Sequence, residues 1–254
     1  MAASHLIVDI SDELLTVTIN RPEKRNALSR VVLEELRDTF TKFASHDTLR
    51  VAVLRGAGDK SFAAGGDLRD LATIRTRDGA ATMATQTKVA LDAIRNFPVP
   101  VVAALNGDAL GGGAELASAC DFRVLAAHAR IGFIQGKLNI STAWGGGINL
   151  LQLVGPATGL RLLSRSELLD SPTALSIGLA DAAAKEGQGL DDVLQEFLAP
   201  MLRQVPQVMR TFKALAVQVR AGRPRSELEA LETELFSHLW VHNDHWAAAD
   251  KLLK

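Results

Sequence analysis

"LNGDALGGGAELASACD", residues 105–121, is the stretch on which the reading of this chain turns. It overlaps the end of "PVVAALNG" (100–107), an apolar run of β-strand length, and continues from the glycines to Cys120 as an apolar helix. Alanines would build a better helix than Gly111, Gly112 and Gly113. A strand that passes through three glycines into a helix presents bare backbone N–H groups at the positive end of that helix. Without a Cβ, a ligand can come directly against that backbone. Such a turn holds an anion or stabilises developing negative charge, unless the glycines serve only to pack helix on strand. Glu115, in the first helical turn, is either a helix-dipole contact or a carboxylate aimed at the same place.

The same cadence runs outward in both directions. "LIVDI" (6–10) and "LLTVTIN" (14–20) read as strands joined by Ser11, Asp12 and Glu13, with Leu15, Val17 and Ile19 alternating with polar partners. Ser29 is a candidate N-cap for a helix with Val32, Leu33, Leu36, Phe40 and Phe43 on one face. "VAVLRG" (51–56) is a buried strand, followed by a second glycine turn in "SFAAGGDLRD" (61–70) and a helix near 84–96. "FRVLAA" (122–127) is another strand, and "AWGGGINLL" (144–151) again opens a helix with glycines. Alternating strands and helices predict an α/β fold. Two strand-end turns that converge could each give one N–H to the same oxygen, the geometry of an oxyanion hole. After about residue 156 the strand signal is lost; "SPTALSIG" (171–178) reads as a short helix with Ser at the N-cap and Pro at the first helical position. In the last third, Leu228, Leu231, Leu235 and Leu239 form one stripe beside Trp240, suited to docking on the core or on a neighbouring subunit.

Composition narrows the function classes. The 254 residues are 47% hydrophobic and 22% charged, with 28 Lys+Arg against 29 Asp+Glu and a formal net charge of -1. That balance argues against a nucleic-acid partner. No apolar run approaches the ~18 residues of a membrane span, and the first residues lack the pattern of a secretory signal. One cysteine, Cys120, excludes an intramolecular disulfide, so a cytoplasmic protein is expected. The chain has no G-x-G-x-x-G fingerprint, no Gly-Lys-Ser/Thr phosphate loop and no G-x-S-x-G elbow. His238, His242 and His245 fall at helical spacing, but Asn243 and Asp244 read as a helix break, and no metal site is expected.

Four segments together, "NRPEKRNALS" (20–29), "FAAGGDLRD" (62–70), "NGDALGGGAELASACDFRVL" (106–125) and "LDSPTALSIGLAD" (169–181), resemble the crotonase, or enoyl-CoA hydratase/isomerase, superfamily. The resemblance implies an α/β spiral of repeated ββα units over residues 1–195 and a C-terminal helical region, 196–254, that serves trimerisation, with a homotrimer or dimer of trimers as the assembly. It implies an acyl-CoA thioester substrate, no separate cofactor, and an enolate held by two backbone amides. By motif position those donors are Ala64 and Gly112, with Gly65, Gly66, Asp67, Leu68, Gly111, Trp144 and Arg25 around the substrate. It further implies catalysis by Glu115.

Hydratases of this superfamily use two glutamates, and the place of the second is held here by Gln135 in "ARIGFIQGKLNI" (129–140). Gln135 cannot ionise, so two-carboxylate addition of water lacks half its machinery. "AWGGG", "LLDSPTALSIGLAD" and "ELFSHLW" resemble instead the branch that decarboxylates alkylmalonyl-CoA thioesters, where loss of CO₂ yields the enolate directly. The expected activity is therefore decarboxylation of a methylmalonyl- or ethylmalonyl-type thioester. The alternatives are an enoyl-CoA hydratase or isomerase with Glu115 as sole acid/base, and a non-catalytic acyl-CoA-binding scaffold. Trp144 is either core packing or part of the acyl pocket. Arg69, Arg75 and Arg77 are either a solvated edge or a grip on a phosphate or a substrate carboxylate.

Overall fold

A computed structural model describes residues 4–11 and 13–253; Asp12, named above in the first turn, lies outside the described residues. Two sheets carry the chain. The larger has the order β1 (Leu6–Ser11), β2 (Leu14–Ile19), β3 (Val51–Gly56), β5 (Val101–Leu105), β7 (Phe122–Leu125) and β10 (Ala182–Ala183). Its pairs are parallel except the β1–β2 hairpin. The smaller has the order β4 (Ser61–Ala63), β6 (Asp108–Leu110), β8 (Arg130–Gly132) and β9 (Leu169–Asp170). Each repeat sends one strand to each sheet and then a helix. β3 and β4 lead to α2 (Leu68–Leu71) and α3 (Arg77–Arg95), β5 and β6 to α4 (Gly112–Ala119), and β7 and β8 to α5 (Gly146–Val154). This is the spiral of ββα units that the resemblance implied.

The inner strands β3, β5 and β7 of the large sheet are buried on both faces, which explains why they read as continuous apolar runs. In β3, Ala52 and Leu54 join the core that includes α3 and α1 (Arg30–Phe43). Val51 and Val53, one residue out of phase, face Val193, Leu194 and Leu198 of α8 (Leu190–Leu202). A boundary at 195/196 therefore cuts through a helix that belongs to the core. The expected α1 cap is present: Ser29 accepts from the Val32 amide at 3.4 Å. The expected cap of α7 (Ser171–Ser176) is displaced by one residue, because the Asp170 carboxylate accepts from the Thr173 amide at 2.9 Å while the Ser171 hydroxyl donates to Ala127 O. β9 and β10 are strands past residue 156 that carried no sequence signal; at two residues each they are too short for an alternation pattern.

α6 (Pro156–Arg165) and α7 complete the core, and α9 (Pro206–Arg220), α10 (Arg225–Trp240) and α11 (Asn243–Leu252) leave it. α9 is tied back through Asp121, which accepts from Val101 N at 2.7 Å, from Arg220 at 2.6 Å and from the buried Lys213 ammonium. α10 ends at Trp240 and α11 is capped by His242, so the three C-terminal histidines do not share one helical face. Among the described residues no helix is long and apolar enough to cross a membrane.

Candidate active site

The two glycine turns converge because the strands that lead into them are neighbours. β4 and β6 run parallel, with Ser61 opposite Asp108 and Ala63 opposite Ala109. A Cβ on Gly65 would stand 3.1 Å from Leu110 O and 3.6 Å from Gly112 N, so the turns are in van der Waals reach of each other. Two buried asparagines hold the entry to β4. Asn26 Nδ2 donates to Ala57 O and Ser61 O, and Asn106 Nδ2 to Gly58 O and Ser61 O.

The amide expected to act at the first turn is already engaged: Ala64 N donates to Arg25 O at 3.0 Å. Ala64 lines the cavity, but its N–H faces the other way. The next residues bridge Leu28, with Leu28 N donating to Gly65 O at 2.8 Å and Asp67 N to Leu28 O at 2.9 Å. In extended backbone the N–H between those two groups points to the opposite side, so Gly66 N faces away from Leu28. Gly112 N, the first amide of α4, has no intrahelical partner. Among the described residues neither Gly66 N nor Gly112 N meets an acceptor, and both residues line the same cavity. The sequence motif located the turn correctly and named a donor two residues too early, because only the cross-strand partners show which amides are free.

Glu115 sits one turn into α4 and is 2% exposed. Its Oε2 accepts from Trp144 N at 2.8 Å and Gly146 N at 2.9 Å, at the N-terminus of α5. Its Oε1 accepts from Gln135 Nε2 at 2.9 Å and Ala143 N at 3.5 Å. Burial pushes the carboxyl above its ordinary range, and the four donors offset this only in part. Gln135, on a 3₁₀ turn spanning Gln135–Leu138, is also buried; its Oε1 has no partner. Carboxyl and amide thus form one buried pair, 20 residues apart in sequence.

Ala64, Gly65, Gly66, Leu68, Gly111, Gly112, Glu115, Gln135 and Trp144 all line a single cavity of about 280 Å³. Two expected substrate residues do not. Asp67 turns to Arg21 at 3.0 Å and caps α2 with its carboxylate. Arg25 borders a separate open cleft with Lys60, His128 and Arg130. Arg69, Arg75 and Arg77 are also absent from the cavity wall, and Arg75 is folded onto Ala72 O. The sequence reading missed Leu71 and Met83 from α2 and α3, and Ile134, Lys137, Leu138 and Ile140 after β8. Leu138 and Ile140 carried a signal, since they are large apolar residues in a non-periodic segment, and they stand 55% and 60% exposed at the cavity wall.

A buried carboxyl beside two free amides, set on a two-sheet ββα spiral, defines a class. Residues 9–249 match the enoyl-CoA hydratase/isomerase family, and the chain belongs to that family. It is 33% identical over 216 residues to a crotonyl-CoA hydratase of Syntrophomonas wolfei, spanning 85% of this chain and 82% of that one. It is 31% identical over 229 residues to an ethylmalonyl-CoA decarboxylase of Pongo abelii, spanning 88% and 74% respectively. The crystal structure of an enoyl-CoA hydratase from Bacillus anthracis superposes with a TM-score of 0.91 at 26% identity, covering 98% of this chain and 96% of that one. The chain is thus an acyl-CoA-processing enzyme of the crotonase superfamily, with relatives named for both hydration and decarboxylation.

Proposed function

We propose that this enzyme decarboxylates an alkylmalonyl-CoA thioester. The observation that carries the reading is the pairing of Glu115 with Gln135, one ionisable carboxyl and one neutral amide where water addition uses two carboxylates. The thioester oxygen accepts from Gly66 N and Gly112 N, which absorb the charge as it develops. The bond to the substrate carboxylate breaks, its electron pair enters the enolate, and CO₂ leaves. The α-carbon then takes a proton from the Glu115 carboxyl, which burial keeps protonated above the usual range, and solvent returns a proton to it. The partnerless Gln135 Oε1 adds an acceptor to the wall. It does not solvate a carboxylate, which favours departure as neutral CO₂. Ala64, Gly65 and Leu68 line the thioester path, and no cofactor beyond the CoA of the substrate takes part. The working assembly is a homotrimer or a dimer of trimers.

A second reading, hydration or double-bond isomerisation of an enoyl-CoA with Glu115 as sole acid/base, draws support from the crotonyl-CoA hydratase relative. A panel of malonyl-, methylmalonyl-, ethylmalonyl- and crotonyl-CoA, followed by mass spectrometry, separates the two. Loss of CO₂ from an alkylmalonyl thioester is expected, with at most weak gain of water by crotonyl-CoA. Gln135→Glu should slow decarboxylation by setting a second negative charge beside the substrate carboxylate. Efficient hydration with every malonyl thioester left intact would overturn the proposal.

A further inference from the structure

The backbone of Trp144 supports Glu115, but its indole has no part in that support and is placed elsewhere. A Cβ on Gly112 would overlap Trp144 Cζ3 and lie 2.6 Å from Cη2. A Cβ on Gly66 would lie 3.2 Å from the same Cη2 and 2.9 Å from Leu71 Cδ1. The six-membered edge of the indole therefore lies across the two Cα atoms whose amides are free. Any side chain at Gly112 would displace it and one at Gly66 would crowd it, so the close approach is built into the sequence. The indole is 7% exposed and borders the cavity with Leu68, Leu71 and Met83.

We propose that the Trp144 indole is the wall that fixes the size of the α-substituent, admitting methyl- or ethyl-sized groups and excluding longer alkyl chains. The proposal rests on the oxyanion role assigned to Gly66 and Gly112. An oxygen bound to both amides brings its carbonyl carbon, and hence the α-carbon, to the surface that the indole edge covers. A short alkyl group packs on the ring; a longer chain must displace it. One methylene in an apolar pocket changes discrimination by about 10-fold or more, so a wall at this place is enough to set a length limit.

The test isolates the wall, because Trp144→Phe and Trp144→Ala both retain the backbone N–H that donates to Glu115. kcat/KM is measured for methylmalonyl-, ethylmalonyl- and butylmalonyl-CoA, and calorimetry gives the affinities of butyryl-, hexanoyl- and octanoyl-CoA. Trp144→Ala should move the long-to-short ratio upward by about 10-fold or more in both series, with Trp144→Phe intermediate. Thermal melts identify folded variants, and Trp144→Phe carries the test if the alanine variant does not fold. An unchanged ratio in a folded variant, or a uniform loss across all lengths, overturns the proposal. If the wild type releases no CO₂ from any malonyl thioester, the decarboxylase reading falls, while the affinity series still decides whether Trp144 sets the length.

Discussion

Gly111, Gly112 and Gly113 are adjacent and meet three different demands. Gly111 takes φ +53° to turn the chain out of β6. Gly112 lets the indole of Trp144 lie against the backbone, and Gly113 lets α4 settle onto β4, where a Cβ would overlap Ala63 O. A backbone carbonyl within a strand cannot retreat as a flexible side chain can. Gly113→Ala should therefore lose about 3 kcal/mol of stability in urea unfolding, and an unchanged midpoint would show that α4 is not seated as described. Glu115 lends itself to a pH test. Because burial raises its folded pKa, the stability it contributes is complete below the unfolded value and is lost as pH rises through the folded one. A glutamine there accepts from Trp144 N and Gly146 N and carries no charge at any pH. Melting temperatures at about pH 4 and about pH 8 should show Glu115→Gln gaining on the wild type at the higher pH, together with loss of turnover. A gap that does not widen would remove the buried-charge account.

At the scale of elements, the site depends on how β4 and β6 are placed, and the entry to β4 is fixed by side chains from other segments. Asn106 accepts from Gly56 N at 2.9 Å and donates to Gly58 O and Ser61 O. Asn106→Ala would leave these backbone groups buried without that partner. The expected cost is about 3 kcal/mol by urea unfolding, with a fall in kcat because β4, which leads into the first glycine turn, loses its anchor. A stable variant with full turnover would transfer that role to Asn26 alone. The α1 and β2 patterns were legible because each is a local period against one buried face, with Leu15, Val17 and Ile19 all fully buried. α3 was underestimated at its start: it begins at Arg77, capped by Thr76, although its buried residues begin only at Thr87. Largely solvated opening turns carry no apolar period to read.

At the scale of the molecule, α10 and α11 contribute no buried residue. The leucine stripe of α10 is only half-buried, while Phe236, Trp240 and Trp246 stand 56%, 46% and 44% exposed. Apolar surface of this extent on a terminal helix pair calls for a partner, and self-association is the proposal made above. Sedimentation at micromolar concentration should give a multiple of the 27.2 kDa chain mass, a trimer or hexamer. A chain ending at Gly222 should remain folded, since α9 is held to the core through Asp121, and should sediment as a monomer. A stable full-length monomer would end the proposal.

Periodicity, caps and glycine placement are properties of near neighbours, and they determine the α/β class, most elements and both turns, while the family resemblance singles out Glu115. Pairing across the fold decided the rest. Ala64 and Gly66 look equally suited to donate, and the difference lies in Arg25 and Leu28, some 40 residues away, which take up one amide and leave the other facing the cavity. Gln135 by itself reads as an ordinary polar residue; the family resemblance set it in the place of a second glutamate, and the turn after β8 brings its amide within 2.9 Å of Glu115. Hydrogen bonds and burial are set by neighbours in space, and the order of residues along the chain does not specify which distant groups those neighbours will be.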